Sequence, residues 1–65
     1  MNLTINGEPH ALETPTVAAM VAALGLDPRK VAVERNLEIV PRSTYARAAL
    51  AEGDRIEIVQ FVGGG

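Results

Sequence analysis

The sequence contains no cysteine and a single histidine. The first absence removes disulfides, thiolate nucleophiles and cysteine-based metal sites. His10 has no cysteine or suitably spaced carboxylate to chelate with, so metal binding and histidine-based catalysis lack the several convergent ligands or partners they need. Tryptophan is absent, and the aromatics reduce to Tyr45 and Phe61. Base-stacking platforms are therefore scarce. The cations Arg29, Lys30, Arg35, Arg42, Arg47 and Arg55 are spread among acids, and the net charge is −2. Both features argue against nucleic acid as a partner. No apolar run approaches the ~20 residues that span a bilayer, and no basic-then-apolar leader follows Met1. The expectation is a soluble, cytoplasmic protein.

Sixty-five residues suffice for one domain. A domain of this size buries only about 60% of its unfolded surface. An interior catalytic cleft would consume much of that core, and no acid–base or nucleophile constellation is visible. A self-sufficient enzyme is thus disfavoured.

What is present is a clear succession of periodicities. Asn2-Leu3-Thr4-Ile5-Asn6 alternates polar and apolar residues, as a strand does. Asn6-Gly7 favours the positive φ values of a tight type I′ turn, so Glu8 to Glu13 should pair back on the first strand. Pro9 cannot donate to a ladder, so this second strand belongs at a sheet edge or starts late. Thr16 predicts a helix N-cap, and Val17, Met20, Val21 and Leu24 form one apolar stripe that Gly25 ends. Ala18, Ala19, Ala22 and Ala23 give the helix a bland outer face, open to a partner but equally ordinary as exposed surface.

Lys30 to Glu34 reads as another strand, Asn36 as a turn residue, and Leu37 to Val40 as a short extended stretch. Ser43 is expected to cap a short helical piece. Glu52-Gly53-Asp54 predicts a turn, and Arg55 to Val62 is the strongest strand. A hairpin, one crossover helix and returning strands make a mixed sheet of about four to five strands with the helix on one face. The expected core is Leu3, Ile5, the helix stripe, Val31, Val33, Leu37, Ile56 and Ile58. This is an α+β fold of the β-grasp (ubiquitin-like) type.

The sequence given ends in Gly63-Gly64-Gly65. Two glycines at the end arise by chance roughly 0.5% of the time, so the tail needs the rest of the chain for context. Glycine lacks a Cβ and enters slots too narrow for other residues. The expected organisation is a β-grasp domain over 1–62 and a flexible glycine tail over 63–65. Four residues from Val62 reach roughly 14 Å when extended. If Ile56 and Ile58 face inward, Val59 and Phe61 face outward and make an apolar patch before the tail, the candidate partner-docking surface. A reversed register or a buried Phe61 would abolish it. Arg42 and Arg55 are further candidates for pairing with partner acids, or simply solvated.

The ordered set Val31-Ala32-Val33-Glu34-Arg35-Asn36, Ile39-Val40-Pro41-Arg42, Gly53-Asp54-Arg55-Ile56-Glu57-Ile58-Val59 and the terminal glycines resembles the ThiS-type sulfur carriers of thiamine biosynthesis, a ubiquitin-like family. Gly63 adds one glycine to the Gly-Gly pair of that family. The resemblance implies a non-catalytic carrier. A ThiF-type adenylyltransferase would use ATP and magnesium to adenylate the Gly65 carboxylate. A sulfur-donor system would convert it to a thiocarboxylate (1-thioglycine), and thiazole synthase would accept the sulfur into the thiazole. Gly63 and Gly64 would supply reach. The chain itself would bind no cofactor, and it has no glycine loop leading into a helix to cradle phosphate. Without cysteine it cannot carry a side-chain persulfide. Sister carriers for molybdopterin, cysteine or tRNA thiolation share the fold and tail. A non-covalent ubiquitin-like binding module needs no free Gly-Gly end, and a frayed end without a role is the plainest alternative for the tail.

Overall fold

In a computed structural model, residues 1–61 are described. The chain forms strands β1 (Asn2–Ile5), β2 (Glu8–Ala11), β3 (Val31–Arg35), β4 (Glu38–Val40) and β5 (Arg55–Gln60), with the helix α1 (Val17–Ala23) between β2 and β3. The sheet order is β2-β1-β5-β3-β4. β1 and β5 are parallel at its centre, and the other neighbours are antiparallel. This is the β-grasp arrangement expected from the residues.

The first hairpin turns at Asn6 (φ 50°) and Gly7 (φ 81°), both in the left-handed region that a type I′ turn demands. Ile5 and Glu8 flank the turn as a pair, so hydrogen-bonded pairs alternate outward from them. The Thr4–Pro9 pair is then a non-hydrogen-bonded one, and the nitrogen of Pro9 faces the open edge. The missing N–H costs the ladder nothing there.

α1 begins where Thr16 Oγ1 accepts from the Ala19 N–H at 3.2 Å. Two other N–H groups of its first turn are satisfied from far along the chain: Val17 donates to Ala48 O and Ala18 to Tyr45 O. The helix closes with Leu26 N–H on Val21 O, Gly25 N–H on Ala22 O, and Gly25 at φ 74°. That is a Schellman motif with its glycine in the left-handed position. Val17, Met20 and Val21 are buried against Leu3, Ile5, Val31, Val33 and Ile56, and Leu24 and Ile58 pack partly buried beside them. Tyr45 and Leu50 complete the core. Neither was among the expected core residues.

Two expectations fail between β3 and β5. Leu37 lies outside the core: it is 81% exposed and holds φ 71° beside Asn36 at φ 52°. Asn36-Leu37 is a two-residue turn joining Arg35 to Glu38, so β4 starts one residue later than the extended stretch predicted. Ser43 caps nothing. It lies inside the 3-10 turn Arg42–Thr44, whose cap position is Pro41 with no side-chain bond. A second 3-10 turn, Pro28–Lys30, is capped by Asp27, whose carboxylate accepts from the Arg29 backbone and guanidinium. Those bonds hold the Asp27 pKa down to about 2.

Candidate functional site

β5 is the element that leads to the glycines, and four sets of contacts fix it. On one side its backbone pairs with β3, in a register running from Val31↔Gln60 to Arg35↔Ile56. On the other, β1 bonds to it through Thr4 N–H to Asp54 O and Asn6 N–H to Ile56 O. Before it, the buried Asp54 accepts from Arg35 Nε (2.7 Å), Asn36 Nδ2 (3.0 Å) and Ala51 N–H (2.8 Å). Past it, Phe61 N–H donates to Lys30 O at 2.8 Å.

Alternation along this strand turns Ile56 and Ile58 toward the helix and Glu57, Val59 and Phe61 to the open face. Ile56 is buried, whereas Val59 is 60% and Phe61 53% exposed. The candidate docking residues therefore lie uncovered on the helix-free side. Val59 pairs across strands with Ala32, and Glu57 with Glu34, which itself pairs with Ile39 on β4. Ile39 is 77% exposed at the sheet edge, on the same face but across the acidic pair Glu57–Glu34. Sequence reasoning missed it. The signal was there in Asn36, since a turn at 36–37 sets the parity that sends Ile39 outward.

The remaining candidates are less connected. Arg55 is exposed, whereas Arg42 Nη2 reaches the Val31 carbonyl at 3.3 Å and braces β3. His10 lines a recess of about 330 Å³ on the other side of the sheet, with Leu24, Leu26 and Ile58. Among the described residues no cluster of three or more histidine or acidic side chains is placed to hold a metal ion. No helix among them is long and apolar enough to cross a membrane. Gly63, Gly64 and Gly65, the expected reach and attachment point, lie outside the described residues, as does the boundary at residue 62.

Comparison with known proteins adds to this geometry. The model of the ThiS family matches residues 3–65. A thiazole synthase of Paramagnetospirillum magneticum is 58% identical over the whole chain, which covers 20% of that protein. The chain thus spans about a fifth of the length of this relative. The sulfur carrier protein ThiS of Bacillus subtilis is 43% identical over 53 residues, 82% of this chain and 80% of its own. The crystal structure of the thiamine biosynthesis protein ThiS from Geobacter metallireducens superposes with a TM-score of 0.84 at 33% identity, covering 100% of both chains.

Proposed function

The chain belongs to the ThiS family, and from that premise we propose that it is a sulfur carrier for thiazole formation in thiamine biosynthesis, loaded at Gly65. The observation that carries the reading is the extent of the family match, which runs through the β-grasp body and on to the last glycine. The reading requires Gly65 to present a free α-carboxylate.

A carboxylate is a poor electrophile, so loading begins with activation. An oxygen of Gly65 attacks the α-phosphorus of ATP on a ThiF-type adenylyltransferase, and magnesium pyrophosphate leaves. The terminal sulfur of a persulfide from the donor system then attacks the acyl carbon and expels AMP. A thiol cleaves the resulting acyl disulfide, becomes oxidised to a disulfide itself, and leaves a thiocarboxylate on Gly65. Thiazole synthase takes that sulfur. The relative that joins a segment like this chain to a thiazole synthase supports this acceptor.

This chain's own part is binding and presentation. Val59 and Phe61, continued across the strands by Ala32, offer the partner an apolar face immediately before residues 62–65. Gly63 and Gly64 give the carboxylate access to a narrow site. The catalytic groups, ATP and magnesium belong to the partner.

Intact-mass analysis tests the proposal. After incubation with ATP, a sulfur source and the adenylyltransferase, the chain should gain the difference in mass between sulfur and oxygen, confined to Gly65. The same spectrum establishes whether Gly65 carries the free carboxylate. A mass that never changes with a competent adenylyltransferase refutes the carrier reading.

A further inference from the structure

β1 stops at Ile5 because the chain must turn at Asn6-Gly7, yet β5 runs on to Gln60. The main-chain ladder between the two strands ends with Asn6 N–H on Ile56 O at 2.9 Å. The next residue of β5 that faces β1 is Ile58, and by then β1 has no peptide group left to offer. The side chain of Asn6 replaces it. Its Oδ1 accepts the Ile58 N–H at 2.7 Å, and its Nδ2 donates to the Ile58 carbonyl at 3.2 Å. The carboxamide thus acts as one more peptide unit of β1, the last hydrogen bond between the two strands among the described residues.

The turn already favours asparagine at this position, but it does not require the carboxamide. Glycine adopts φ 50° at no steric cost and satisfies a type I′ turn as well. The carboxamide is what glycine would lack. Asn36 gives an internal comparison, since it too sits at positive φ in a two-residue turn and grips β5. Its Oδ1 accepts the Arg55 N–H at 3.0 Å. Asn36 therefore holds the entrance of the strand and Asn6 holds it near the exit.

We propose that Asn6 is a positioning residue for the chemistry at Gly65. By pinning Ile58 on the β1 side, while Phe61 N–H is held by Lys30 O on the β3 side, it fixes the end of β5 relative to the Val59–Phe61 face. This inference rests on the reading of Gly65 as the adenylated residue. A docked body whose last strand is held in place keeps the anchor of the reacting carboxylate in register with the partner, and small misplacements of a reacting group cost rate steeply.

The test compares Asn6→Gly, Asn36→Gly and Asn6→Asp with the unaltered chain. Pyrophosphate release by the ThiF-type adenylyltransferase is followed against carrier concentration, with thermal melts alongside. Asn6→Gly keeps the turn and should lower kcat about tenfold, with KM within about twofold because the docking face is intact. Asn36→Gly should lower the melting temperature at least as much and leave kcat unchanged. Asn6→Asp keeps an acceptor for Ile58 N–H and should recover part of the lost kcat. An unaltered kcat in Asn6→Gly, or a loss in Asn36→Gly that follows stability equally, overturns the positioning role. If the unaltered chain releases no pyrophosphate with a competent enzyme, the Gly65 reading falls and this inference falls with it.

Discussion

Arg35 Nε meets Asp54 Oδ2 at 2.7 Å, joining the end of β3 to the residue that precedes β5. Asp54 is among the few buried polar residues of the chain. Burial pushes its carboxyl up, but the bonds from Arg35, Ala51 and Asn36 outweigh that and hold its pKa below the ordinary value. A carboxyl depressed in the fold stabilises it above the unfolded pKa, near ~3.9. That contribution is lost as pH falls through the folded pKa. Asp54→Asn should therefore cost roughly 2 kcal/mol at neutral pH, and the gap to the unaltered protein should narrow in acid. Urea melts at neutral pH and near pH 3 read both. A gap that stays constant refutes the assignment.

Gly25 closes the helix at φ 74°, and a Cβ built there meets nothing within 4 Å. The requirement is conformational and not one of space. Gly25→Ala should then destabilise the fold by about 1 kcal/mol, and Gly25→Asn by less, because asparagine tolerates the left-handed region. Equal losses for alanine and asparagine would point to a packing role instead.

Thr14 is buried and its hydroxyl finds no hydrogen-bond partner among the described residues. An unsatisfied buried hydroxyl keeps its desolvation cost, so the similarly shaped Thr14→Val should raise stability by roughly 1 kcal/mol. A chemical-denaturation midpoint that drops would show that the hydroxyl is satisfied in solution.

These tests touch features of unequal legibility. Asn6-Gly7, Thr16, the Val17–Met20–Val21 stripe and Gly25 each act through neighbours in sequence, and their signals located the hairpin and the helix. Tyr45 and Leu50 have no periodic partner. Their segment is ordered because Val17 and Ala18 donate to Ala48 and Tyr45, contacts that no local pattern announces. Leu37 read as core because leucine is apolar, but the parity of the Asn36-Leu37 turn overrode composition and put it in solvent. Asn6 shows the limit most plainly. Its turn role is visible in the dipeptide, whereas its bond to Ile58 spans 52 residues and exists only once β1 and β5 lie parallel. Val59 and Phe61 were placed by alternation alone, which worked because Ile56 and Ile58 anchor the inner face.

The open face yields the sharpest separation between folding and docking. Phe61 lies beyond the last residue of β5 and is half exposed, so Phe61→Ala removes little that holds the body together. Val59→Thr keeps the β-branched shape that suits a strand while removing apolar surface. The double variant should melt within about 0.5 kcal/mol of the unaltered protein, as surface substitutions do. Under the proposed function, its KM with a ThiF-type adenylyltransferase should rise about tenfold, corresponding to about 1.4 kcal/mol of lost contact. Ile56→Ala, on the buried face of the same strand, should show the reverse: roughly 3 kcal/mol of stability lost, with KM little changed for the fraction that remains folded. If the double variant loses stability but docks normally, Val59 and Phe61 serve the fold and not docking.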